Sequence, residues 1–168
     1  MIKQGWSREG IKNRETKWDI ELGRIQGVPF WDRCYKIIDS IFFDNRIKWL
    51  QYQIVRGTLK TNKIISKFKR NIQPSCTFCN IEIETIEHLF WSCHIVQNFI
   101  KEVSEHSVQS NPSYFIEDNG KPYIFSNSKN KIDCTLVFQL LLKYFIWITR
   151  CGNKTLNLNN FLIGSTKK

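Results

Sequence analysis

Apolar residues recur along this chain at helical rather than alternating spacing, and the pattern predicts a succession of short helices. Trp18 and Leu22 stand at i, i+4 in a first short helix that Gly23 stops. Val28-Pro29 opens a second, with Pro29 suited to a first turn and Trp31, Tyr35, Ile38 and Phe42 on one face. Asp44 is a candidate N-cap for a third, which carries Ile47, Leu50, Ile54 and Val55 to a stop at Gly57. Thr61 caps a short fourth with Ile64, Ile65 and Phe68. From Glu84 a helix is expected to pass through His88 and continue as Ile95, Phe99, Ile100 and Val103. Residues 105–131 lose the pattern, gain Pro112, Gly120 and Pro122, and read as a loop in which Tyr123–Phe125 can form a brief strand. A strongly apolar helix follows from Asp133 to Arg150 with Gly152 as its C-terminal cap, then a short terminal helix or arm. Within it Gln139 and Lys143 interrupt the run Leu136–Ile148, well short of the roughly 20 unbroken apolar residues of a membrane span. This reads as a buried core helix, and no membrane partner is expected.

The expected fold is mainly α, a small irregular helical domain with a zinc-knuckle-like CCHC insertion and a C-terminal apolar helix. Four regions follow: an N-terminal helical segment at 1–43, basic helices with the metal-binding module at 44–104, the loop at 105–131, and the apolar helix and tail at 132–168. With 168 residues, 42% hydrophobic and 14% aromatic, the chain has the makings of a packed core.

The insertion is where chemistry enters. Cys76, Cys79, His88 and Cys93 have the spacing C-x2-C-x8-H-x4-C. Two thiolates two residues apart can grip one ion from a tight turn, and a helix can bring an imidazole and a third thiolate from the other side. Such a set suits tetrahedral Zn²⁺. His94 is a rival for the fourth place. Four protein ligands leave no open position for a catalytic water, so a structural metal is favoured over a zinc hydrolase, although Glu84 and Glu87 lie close by. Both acids are more simply placed at a helix N-terminus. Cys34, Cys134 and Cys151 fall in apolar helical segments as small core residues. No apolar run near Met1 resembles a secretory signal, so a reducing, intracellular setting in nucleus or cytoplasm is expected rather than a disulfide framework.

Charge sharpens the picture. The formal net charge is +10, and eight of the cations, Arg46, Lys48, Arg56, Lys60, Lys63, Lys67, Lys69 and Arg70, occupy a window from Asn45 to Ile81 that contains no acid. A solvated helix face normally intersperses acids, so contact with nucleic acid phosphate is expected there, RNA or DNA. Trp91 is a candidate for stacking on an unpaired base, whereas Leu89 and Phe90 belong in the core. A protein-interaction module whose charge is incidental is the alternative.

The stretches Trp49–Arg56, Leu59–Lys63, Cys76–Cys79 and Glu84–Cys93 together resemble the zinc-binding region at the C-terminal end of reverse transcriptases from non-LTR (LINE-type) retrotransposons. Lys17-Trp18, Leu22-Gly23 and Trp31 fit the segment upstream in that family, and Leu140–Ile148 with Asn159–Leu162 fit its extreme C-terminus. The resemblance implies Zn²⁺ at Cys76, Cys79, His88 and Cys93, and nucleic acid along Arg56–Arg70. It also implies an upstream polymerase as partner, and a part in holding template RNA or target DNA during target-primed reverse transcription. No adjacent Asp-Asp pair for two catalytic metal ions occurs in the chain. The resemblance therefore implies a non-catalytic C-terminal fragment.

Overall fold

A computed structural model describes Trp18 and residues 28–41, 44–110 and 134–166. It is mainly helical, and among the described residues strand pairing is confined to one antiparallel bridge, Ser75 to Ile83. The expected helix beyond Trp18, Phe42, most of the loop and the brief strand at 123–125 lie outside the described residues.

Helix α1, Val28–Ser40, buries Trp31, Cys34, Ile37 and Ile38. Helix α2, Asn45–Val55, begins where the Asp44 carboxylate accepts the Arg46 N–H at 2.8 Å. It ends in a Schellman motif: Gly57, at φ +60°, donates its N–H to Ile54, and Thr58 donates to Gln53. A side chain at Gly57 would be strained by that φ and would meet the Trp18 indole at 3.5 Å. Trp18 in turn donates its indole N–H to the Val55 carbonyl at 3.0 Å, closing over the end of α2.

Helix α3 is a single turn, Asn62–Ile65. Phe68, expected within this helix, lies past its end and is 83% exposed. The helix expected to run unbroken through His88 is instead two elements. A π-helical turn, His88–Ser92, ends at Cys93, whose extended backbone (φ −66°, ψ 121°) breaks the path before α4, His94–Ser110. α4 runs several residues into the stretch whose polar composition reads as loop.

Helix α5, Cys134–Cys151, is the apolar helix. By length and composition it is the one described helix able to cross a membrane. Here it packs against α2 and against α6, Leu158–Thr166. Its C-terminal cap is not Gly152 but Asn153, at φ 50°: Asn153 donates to Arg150 and Lys154 to Thr149, a second Schellman motif. Asn tolerates the left-handed region better than most residues, which leaves Gly152 free of that duty.

The main core joins α1, α2, the π turn, α4, α5 and α6 around Leu50, Ile54, Leu59, Phe90, Val96 and Leu142. Phe99, Phe138, Phe145 and Phe161 form its aromatic end, with ring centroids 5.3–6.2 Å apart. A smaller cluster of Ile37, Ile41, Ile47, Leu136 and Leu140 fills the gap between α1, α2 and the start of α5. Lys143 is buried between these layers and donates to the Gln51 side chain. Burial holds its ammonium well below the ordinary lysine range, with the neighbouring Cys34 opposing weakly. Cys34 is a core residue as expected, whereas Cys134 and Cys151, at the two ends of α5, are exposed.

Candidate metal centre

The C-x2-C turn is shaped by its own backbone. Cys76 donates its N–H to the Glu82 carbonyl at 2.8 Å and Glu84 donates to Pro74 at 2.9 Å, so residues 74–84 fold into a tight hairpin-like knuckle. Asn80 turns it at φ 55°, donating to the Cys76 carbonyl at 2.9 Å. The Phe78 N–H points at the Cys76 sulfur, 3.4 Å away, a donor that favours a thiolate there. Opposite, Thr85 accepts the His88 N–H on its hydroxyl at 2.9 Å and starts the turn that carries the histidine.

The π turn then sets the remaining spacing. Cys93 donates to the His88 carbonyl across five residues, at 2.9 Å, which brings both side chains to the knuckle. The ligand atoms of Cys76, Cys79, His88 and Cys93 all lie within 4.8 Å of one another. The Cys76 and Cys93 sulfurs are 3.9 Å apart, and the Cys79 sulfur is 3.4 Å from His88 Nε2. Thiolates bonded at about 2.3 Å to a tetrahedral ion sit roughly 3.8 Å from each other, so the four donors fit one metal ion. His94, the rival, is the exposed first residue of α4 and stands outside the cluster.

The surroundings favour the ligand states. Cys93 precedes α4, and its thiol is shifted down, first by the hydrogen bond from Cys76 and then by the Val96 and Ile95 amides at the helix start. Cys76 is shifted up, first by that shared proton and then by burial. An ion between the two displaces the proton that divides them. Nε2 of His88 faces the thiols while Nδ1 faces Glu82 at 3.2 Å, an outer-shell carboxylate that fixes which nitrogen binds.

Glu84 has no catalytic look. It is fully buried and accepts five hydrogen bonds: from the Asn62 and Thr77 amides, from the Thr77 hydroxyl, and two from Arg150 at 2.7 and 3.1 Å. Burial pushes its carboxyl up, but Arg150 and the Thr77 and Asn62 donors outweigh it, and the net shift is down. Arg150 also donates to the Asn62 side chain at 2.6 Å and lies 5.2 Å from the Trp147 ring. The end of α5 is thus tied to the knuckle by a buried ion pair.

The predicted nucleic-acid residues have unequal positions. Lys60, Lys67, Lys69 and Arg70 are exposed, and Lys63 is half-buried. Arg46 is exposed but held by Asp44 at 2.9 Å, and Lys48 donates to the Asp39 carbonyl. Arg56 is only 6% exposed, its guanidinium 5.7 Å from the Tyr52 ring. Leu89 and Phe90 are core residues as expected, and Trp91 is half-buried against the same core. Among the described residues, the large hydrophobic aromatics most open to solvent are Phe68 and Trp49, the latter 58% exposed and stacked on Tyr52. Phe68 sits between Lys67 and Lys69, a signal for an exposed basic turn that helical spacing concealed. Arg150 and Asn62 were invisible as site residues because their partner is remote in the chain.

Residues 17–99 match the family described as zinc-binding in reverse transcriptase. No curated protein and no solved structure matches the chain.

Proposed function

Because residues 17–99 match the family described as zinc-binding in reverse transcriptase, we propose that this chain is a non-catalytic, Zn²⁺-stabilised nucleic-acid-binding module of a non-LTR (LINE-type) reverse transcriptase. It works with an upstream polymerase domain, inside the cell, and helps to hold template RNA or target DNA during target-primed reverse transcription. The observation that carries this reading is the closed CCHC cluster reached through an acid-free basic stretch. Zn²⁺ suits the soft three-thiolate, one-imidazole set and, with four protein ligands, serves structure rather than hydrolysis. It would lock the knuckle against the π turn, and the knuckle in turn sets the lie of α3 and the lysines that follow. Those cations supply sequence-independent affinity for phosphate, with Phe68 and Trp49 offered for stacking.

The test is metal content together with RNA binding titrated against salt. One zinc per chain and an affinity that falls steeply with salt are expected; no binding to RNA or DNA at low salt would refute the nucleic-acid role. The second reading, a protein-interaction module, draws on the exposed groove between α2 and α5 that Trp49, Trp147 and Ile148 line. Complex formation with the polymerase domain that survives high salt while nucleic acid is ignored would favour it.

A further inference from the structure

A cavity of about 310 Å³ opens where the end of α2, the turn of α3 and the start of the metal-bearing helix meet. Arg56, Lys63 and Lys67 line it together with Thr58, Thr61 and Thr85, and among the described residues no acid does. Its volume is at the lower end of ligand pockets, roughly 300–1,000 Å³, a size for one small group rather than a flat surface for a helix.

The side chains are arranged for an anion. Lys63 and Lys67 stand four apart on a turn that the Lys67-to-Ile64 and Lys69-to-Ile65 hydrogen bonds continue, and both residues line the same cavity. Like charges at that spacing repel, and an anion between them removes the repulsion. Neither lysine makes an ion pair with a described residue. Thr61 is 1% exposed and occupies the N-cap position of α3, yet its hydroxyl makes no capping hydrogen bond. Thr58 and Thr85 add two more hydroxyls, and Thr85 is the residue that begins the turn holding His88.

We propose that this cavity is a discrete phosphate seat, which takes one backbone phosphate of a nucleic acid strand between Lys63 and Lys67 with Arg56 beneath. The proposal rests on the nucleic-acid reading above and adds to it a single anchoring contact in place of an evenly spread basic face. It also makes the seat dependent on the metal, since Thr85 is positioned by the same turn as His88.

The test compares two charge-matched double variants of the full chain, Lys63→Ala with Lys67→Ala against Lys60→Ala with Lys69→Ala, for binding to a single-stranded RNA. The pocket pair is expected to weaken binding about tenfold more than the other pair, the scale of hydrogen bonds to a charged group, with helicity and metal content unchanged in both. Inorganic phosphate added to the wild-type chain should shift the NMR amide signals of Thr58, Thr61 and Thr85. Equal losses in the two pairs would overturn the seat and leave nucleic-acid binding standing. If the wild type binds no nucleic acid, the proposed function falls. The phosphate titration then decides the seat alone: shifts confined to those three amides uphold it, and their absence ends it.

Discussion

The metal-centre segment at 74–93, knuckle and π turn together, and the helix pair α2–α5 are ordered by different means. Around α2 and α5 the packing is mainly apolar, with Leu50, Ile54, Leu142 and Ile146 in one core and the buried Lys143–Gln51 hydrogen bond as the polar exception, and each fully buried apolar side chain contributes roughly 1.5–3 kcal/mol. The knuckle exposes Ile81 and Ile83 and holds its shape through backbone hydrogen bonds, a buried carboxylate and four ligand atoms. A short segment that leaves part of its apolar surface exposed gains from another source of free energy, which an ion held by the four donors would supply. The separation is incomplete, however: Cys76, Leu89, Phe90 and Cys93 belong to the same core as α5. Ligation and packing share a wall.

Removing the metal, by chelation or by Cys76→Ser, is expected to have the largest effect, since structural zinc sites contribute on the order of 10 kcal/mol. Amide hydrogen exchange should show residues 72–95 unprotected while α5 keeps protection through its contacts with α2. Equal loss along α5 would dissolve the distinction between the two regions. Next comes Arg150→Met, which leaves Glu84 buried and unpaired and should cost about 3–5 kcal/mol in denaturant unfolding. Leu142→Ala should cost roughly 2–5 kcal/mol by the cavity it leaves, with metal stoichiometry unaltered in the folded protein. Metal loss in parallel with that destabilisation would show that the shared wall governs ligation.

Lys143 gives a pH-dependent test. Its folded pKa lies below the unfolded value of about 10.4, so the unfolded chain binds more protons between those two pKa values. Stability should therefore rise with pH across that interval. Lys143→Met should remove the slope and stabilise the protein at neutral pH, read as the midpoint of urea unfolding. The smallest effect is expected of His94→Ala, which should leave metal content and affinity unchanged.

Much of this was legible in order along the chain. Asp44 and Gly57 bracket α2 because caps are local chemistry, and the C-x2-C spacing announces its knuckle for the same reason. That Cys76, Cys79, His88 and Cys93 come together was legible too. The break at Cys93 was not, because Ile86, Leu89, Phe90, Val96 and Ile100 keep enough helical spacing to hide a change of turn. The role of Glu84 was hidden for another reason: its partner Arg150 lies on a helix that only the tertiary fold brings near. For Phe68, spacing suggested a place in the short helix after Thr61, but α3 ends three residues earlier and leaves the ring to solvent.

The π turn between His88 and Cys93 carries a consequence for what length changes the gene can tolerate. Each helical residue rotates a side chain by about 100°. Deleting a single residue from 89–92 would replace the five-residue step by a four-residue one and swing the last sulfur away from the other three donors. An insertion would do the same in the opposite sense. Point substitutions at exposed Ser92 leave that step intact, so this segment should accept changes of letter and reject changes of count.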